Sequence, residues 1–274
     1  MESPVPSSRP DYINNPFTVA VRGLNLLFLH GQNIAILLIV LAVLNYLPNT
    51  NRSAPTQAAI PSLQAAFSAL PIIITTGAVV LVVLLVVAAI INGICGYTTA
   101  RIARGESVTL SETIKAVFAR FGDVLLLQFL LALKLLGWTL LGIVPGVIMS
   151  IRYTFAMTIL FDKDVTGNAA IKQSIALTRR SWITTFGALT VFNVVTFGII
   201  TLLVQTASSA ILYRQFISTP NDERPAPHGL SIAALVLSII TVVIVVLGIA
   251  ALVGYGATHG WFQPGGTDGA YQKA

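Results

Sequence analysis

The sequence predicts an all-α fold: a polytopic transmembrane bundle of six helices with three cytoplasmic amphipathic helices, arranged as three helix-plus-hairpin units. Three observations predict it. Charged residues make up only 9% of the 274 positions, where a soluble domain carries about 25%, so lipid must cover much of the surface. Apolar runs such as 70–95 and 230–255 exceed the roughly 20 residues needed to cross a bilayer. They are also too long and too uniform for barrel strands, and helices satisfy their own backbone groups in hydrocarbon. Finally, short stretches of helical periodicity, polar on one side, precede several of these runs.

Residues 1–15 are polar and proline-bearing and are expected to form a disordered arm. Asn15-Pro16 then gives an N-cap followed by proline at the first helical position. Phe17, Val21, Leu24 and Phe28 follow at spacings of three and four, the pattern of an amphipathic helix. The first span is expected at 34–47, followed by a loop holding Pro55 and Pro61, and the second span at 69–96. Thr109 and Glu112 match a capping box. They open a second amphipathic helix whose apolar side is Leu110, Ile114, Val117, Phe118 and Phe121.

The third span is expected at 124–141. Pro145 and Gly146 close a tight structural turn in the segment 142–146, because proline and glycine together punctuate helices. The fourth span is expected at 147–161. A third amphipathic helix runs from Thr166 through Ile171, Ile175 and Thr178 to Arg179-Arg180. The fifth span is expected at 182–212, the polar loop Arg214–Gly229 follows with three prolines, and the sixth span covers 230–256. A single membrane domain thus occupies 16–261, and the tail 262–274 is glycine-bearing and expected to be disordered. Nothing at the start resembles a cleaved signal peptide, since Arg9, Asp11 and Arg22 precede the first apolar run.

Basic residues set the expected orientation, with both termini in the cytoplasm and the chain in the cell membrane as a multi-pass protein. The inside then holds Arg9, Arg22, Arg101, Arg104, Lys115, Arg120, Lys163, Lys172, Arg179, Arg180 and Lys273, against Arg52, Arg214 and Arg224 outside. The formal charge of +6 is explained by loops facing an anionic leaflet. No basic stripe is interleaved with exposed aromatics, so nucleic acid is not an expected partner. Trp138, Trp182 and Trp261 fall near span boundaries as an interfacial belt.

The segment 110–119 lies over 167–176 with Ile114-Lys115 on Ile171-Lys172, and Tyr97-Thr98 precedes one copy as Tyr153-Thr154 precedes the other. The helix at 16–29 is a looser third copy. Such units repeat in one orientation because each carries an even number of spans.

Residues 142–182 carry Val144-Pro145-Gly146, Arg152-Tyr153, Asp162 and Ala170-Ile171-Lys172-Gln173-Ser174 before Trp182. In this pattern the chain resembles the six-span membrane domain that accompanies some glycerophosphodiester phosphodiesterases, and related uncharacterised bacterial integral membrane families. The resemblance implies architecture more than chemistry, since the phosphodiesterase activity of such proteins belongs to a separate soluble barrel.

Lys134 and Arg152 fall inside expected spans with no Asp or Glu there to pair with. A charge at helix centre costs roughly 2.5–3.5 kcal/mol on insertion scales. Two readings stand: the pair binds an anionic lipid phosphate in a cavity, or each stem snorkels to an interface. Asn92, Gln128, Asn193 and Gln205 are expected to hydrogen-bond between helices. Asp162 and Asp164 are expected to solvate a helix end or pair with basic neighbours rather than act as catalysts. His30, His228 and His259 fall on different sides, Cys95 is the lone cysteine, and no metal site or cofactor is expected. No metalloprotease, nucleophile-elbow or phosphate-loop motif occurs. The expected role is that of a non-catalytic lipid-associated or scaffold protein, its partners membrane lipids including anionic ones. A permease component is the first alternative and an intramembrane lipid-modifying enzyme the second.

Overall fold

A computed structural model describes residues 12–46, 63–195 and 200–258. The expected arm up to residue 11, the tail, Arg52, His259, Trp261 and the side chain of Asn193 lie outside the described residues. Among those described, every regular element is helical. Four helices are long and apolar enough to cross a membrane: Ile74–Ala103, Phe121–Leu141, Ile143–Lys163 and Gly229–Gly256. A fifth is added if Pro16–His30 and Gln32–Val43, bent by 117° at their junction, count as one. The chain is a multi-pass membrane protein.

Asn15 caps α1 (Pro16–His30) by accepting from the Phe17 amide, as expected. The face that packs is a different one from the expected apolar stripe. Phe17, Val21 and Phe28 are 36%, 50% and 42% exposed, while Val19, Ala20, Gly23 and Leu27 are buried. The physical reason is the solvent. In lipid, large apolar side chains gain nothing from leaving the surface, and small residues let backbones approach. Gly23 sits so close to α10 (Thr201–Ser218) that a Cβ there would meet the Ala207 carbonyl oxygen at 2.3 Å.

After the bend at Gly31, α2 (Gln32–Tyr46) covers the expected first span. The second is longer than expected: α3 runs Leu63–Ala103. Thr109 and Glu112 form the expected reciprocal capping box at the start of α4 (Leu110–Ala119). Here the expected apolar side divides: Val117 is buried and Leu110 packs on the core, while Phe118 is 57% exposed and the polar Thr113 is buried in its stead. α4 packs on α3 and α5 (Phe121–Leu141), and α8 (Gly167–Thr178) packs on α5, α6 and α7. The three amphipathic helices therefore find their main neighbours among the spans rather than in one another.

The hairpin between α5 and α6 (Ile143–Tyr153) turns on a single residue, Gly142, whose φ of 150° and ψ of 156° only glycine adopts freely. Pro145 and Gly146 belong to the first turn of α6, a correction to the expected turn, because proline is tolerated where helix amides have no partner. Gly146 lets α6 approach Thr139. After a break at Thr154-Phe155, the course continues as α7 (Ala156–Lys163).

The expected fifth span, 182–212, divides into α9 (Trp182–Val195) and α10, with 196–199 outside the described residues. α10 is rich in Thr, Ser and Gln and is the most enclosed helix, gripped by α1, α2, α3 and α9. The loop after it lies beside the α8–α9 junction. Arg224 donates to the Leu177 carbonyl (2.6 Å) and to Ser181, Asn221 donates to the Ala176 carbonyl, and Asp222 pairs with Arg180. Arg180 and Arg224 were expected on opposite faces of the membrane; they share one. A polar, proline-bearing loop is compatible with either face, and only the return of α10 decides which. Tyr12 joins this assembly, and Asn14 donates to the Ala226 carbonyl. Burial pushes the Tyr12 phenol up and the Arg224 guanidinium down from their ordinary values. From here α11 (Gly229–Thr258) leaves with Ser231 seated over Gly187 of α9, and most of its length is exposed.

Candidate functional site

Two features stand out: a charged end and a cavity. At the charged end, Asp162 closes α7 and takes an ion pair from Arg104, just past α3, at 2.7 Å. The Tyr213 hydroxyl donates to its other carboxylate oxygen at 2.8 Å. Arg120 pairs with Asp164 (2.8 Å) and Asp123 (3.2 Å) and donates to the Leu160 carbonyl. Both aspartates thus pair with basic neighbours, as expected, and tie α3, α5, α7 and α10 together.

The cavity, about 480 Å³, lies between α3, α5, the α6–α7 pair and α10. Each helix presents a stripe at spacings of three and four, one face of a helix. From α3 come Asn92, Cys95, Gly96 and Thr99; from α5, Gln128, Leu131, Ala132 and Leu135. α10 adds Leu202, Gln205, Thr206 and Ser209, and the α6–α7 pair adds Ser150, Tyr153, Thr154, Met157 and Thr158. No lining residue carries a charged side chain. The groups available are hydroxyls and carboxamides, which both donate and accept, set among apolar walls.

Within it the Asn92 amide nitrogen donates to Gln128 Oε1 at 3.1 Å, joining α3 to α5 as expected of those residues. Gln205 borders the same space. Trp138 Nε1 donates to the Tyr153 hydroxyl at 3.1 Å, fixing that phenol at the rim. The hydroxyl lining was missed at the level of sequence. Its signal was the stripe of small polar residues repeated in several spans, which reads individually as ordinary helix packing.

Lys134 and Arg152 are not part of this site. Lys134 is on the flank of α5 beside the cavity-lining stripe, and Arg152 is on the opposite side of its helix from Ser150 and Tyr153. Both are half-buried, and neither side chain has an ion pair or hydrogen bond among the described residues; the Arg152 Nε is enclosed without a partner. Neither residue lines this cavity.

Compared with known proteins, the chain matches no family model, no curated protein and no solved structure.

Proposed function

We propose that this is a non-catalytic, lipid-associated protein of the cell membrane, holding the uncharged, hydrogen-bonding part of an amphiphile in the cavity between α3, α5, α6–α7 and α10. The observation that carries the reading is the lining: amides and hydroxyls with apolar walls and no charged side chain. Such a surface satisfies the hydroxyls and ester carbonyls of a lipid and offers no counter-ion. A pocket of a few hundred cubic ångströms with few polar groups is the usual form of a small-ligand site. The resemblance to membrane domains accompanying phosphodiesterases is compatible with this reading.

The test is native mass spectrometry of the gently solubilised protein beside Asn92→Leu/Gln128→Leu. A stoichiometric lipid bound to the wild type and missing from the double variant, beyond any lipid both retain, supports the reading. Equal retention in both removes it.

The same lining favours a second reading, a permease for a small neutral solute, because the polar groups lie within apolar helices. Solute flux in proteoliposomes, abolished by the same substitutions, distinguishes it from lipid holding.

For topology, the charged end is assigned to the cytoplasm, on the strength of Arg101, Arg104, Arg120, Arg180 and Arg224 gathered there with the start of α1. α9 and α10 then leave this face and return to it. With α11 as one further crossing, the C-terminus emerges on the opposite side from the N-terminal arm. The six-span, three-unit plan gives way in this proposal to single crossings by α2, α3, α5, α6–α7 and α11 around the α9–α10 hairpin.

A further inference from the structure

Away from the cavity, α1 and α10 cross closely at Gly23 and then diverge, leaving a second hollow of about 440 Å³. Its polar lining is Arg22 and Asn25 from α1 with Arg214 and Gln215 from α10; Leu26, Leu29 and Ile211 supply apolar wall. Gln215, with its amide oriented to satisfy both groups, exchanges hydrogen bonds with the Ile13 backbone (3.2 and 2.8 Å) and closes one end. Arg22 and Arg214 are exposed, and neither makes an ion pair or hydrogen bond among the described residues. Glu106, Asp123, Asp162, Asp164 and Asp222 pair with other arginines.

The faces of α1 say what kind of molecule reaches this hollow. Val19, Ala20, Gly23 and Leu27 face the bundle, Phe17, Val21 and Phe28 face outward, and Arg22, Asn25, Leu26 and Leu29 face the hollow. At 3.6 residues per turn these three faces fall roughly 120° apart. A helix with a bare aromatic and aliphatic face beside arginines is built to lie at the boundary of headgroups and acyl chains. Two guanidinium groups without counter-ions among the described residues, next to that face, suit a phosphate, whose oxygens match their planar fork.

We propose that Arg22 and Arg214 bind a phosphate group in this hollow, with the headgroup of an anionic phospholipid as the source its apolar wall favours. The site is separate from the uncharged cavity and depends only on α1 lying at the membrane surface.

The test uses the full chain in nanodiscs of phosphatidylcholine with phosphatidylglycerol, comparing wild type with Arg22→Gln/Arg214→Gln and with the Asn92→Leu/Gln128→Leu cavity variant. Phosphatidylglycerol is expected to co-purify with the wild type and the cavity variant. Its occupancy should fall by about tenfold or more when both guanidiniums are removed, as expected for losing charge-assisted hydrogen bonds. A parallel arm adds inorganic phosphate in neutral detergent. A rise in the thermal midpoint of the wild type and the cavity variant but not of Arg22→Gln/Arg214→Gln, with no lipid retained, assigns the phosphate to a free anion. Equal phosphatidylglycerol retention in wild type and Arg22→Gln/Arg214→Gln, with no differential response to phosphate, overturns the proposal. Loss of lipid only in the cavity variant overturns it as well, and leaves the cavity reading standing.

Discussion

The Ser174 hydroxyl donates to the Arg152 carbonyl at 2.7 Å and accepts from the Phe155 amide at 3.2 Å. It sits on α8 and bridges the break between α6 and α7, where the helical ladder leaves a carbonyl and an amide without their regular partners. Thr178, one turn on, donates to the Ser174 carbonyl and reinforces the position. Two segments singled out in the sequence, Arg152-Tyr153 and Ala170 to Ser174, are thereby one structural device. Ser174→Ala should lower stability by about 1–3 kcal/mol, the range for leaving buried polar groups unpaired. Thermal unfolding followed by tryptophan fluorescence measures it, and an unchanged midpoint would show that the bridge is dispensable.

The crossing of α1 over α10 depends on the absence of a side chain at Gly23. Gly23→Leu should force the helices apart, since even a Cβ would lie 2.3 Å from the Ala207 carbonyl oxygen. The expected outcome is faster protease cleavage near residue 30 in the folded protein. Cleavage at the wild-type rate would mean that α1 is not held there.

Asp162 receives Arg104 and the Tyr213 hydroxyl while its own side chain is only 7% exposed. Asp162→Asn should cost about 1.5–3 kcal/mol, the range for a hydrogen bond to a charged group, and Tyr213→Phe less, because it leaves the ion pair intact. A chemical-denaturation series in mild detergent ranks the two. The reverse order would show that the hydroxyl, not the arginine, holds α7 in place.

Topology is accessible through the lone cysteine, Cys95. In a Cys95→Ser background, Glu223→Cys and Gly269→Cys should react with an impermeant maleimide from opposite sides of right-side-out vesicles. Gly269→Cys should react from outside and Glu223→Cys only once the vesicles are opened; the reverse pattern would restore the arrangement in which the two termini share the cytoplasmic face.

Lys134→Leu/Arg152→Leu provides the contrast to the arginine pair on α1 and α10. The protein should still insert and still retain phosphatidylglycerol, since neither residue lines the cavity or the hollow described above. Lipid lost from this variant alone would move the anionic site back to the third and fourth spans.

Much of the site was visible in the sequence as separate residues and invisible as a set. Asn92 and Gln128 were recognisable as an interhelical pair, because carboxamides in apolar helices seek each other. Thr99, Ser150, Thr206 and Ser209 were not, since a lone hydroxyl in an apolar helix reads as ordinary packing, and Ser150 and Thr206 do bond carbonyls of their own helices. Arg22 and Arg214 are nearly two hundred residues apart, and the sequence assigns them to opposite faces.

The sequence by itself determined the all-helical membrane class, the caps at Asn15 and Thr109, and the approximate extent of the long apolar helices. Those follow from local physics: hydropathy over one helix length, and side-chain hydrogen bonds to the first turn. Only the tertiary structure decided which face of α1 packs, that α10 returns to the face from which α9 leaves, and that Arg224 lies beside Ser181. The reason is that lipid rewards neither burying nor exposing a phenylalanine. The choice then falls to small residues and polar groups such as Gly23, Ser174 and Ser231, whose partners lie on other helices and leave no periodicity to read.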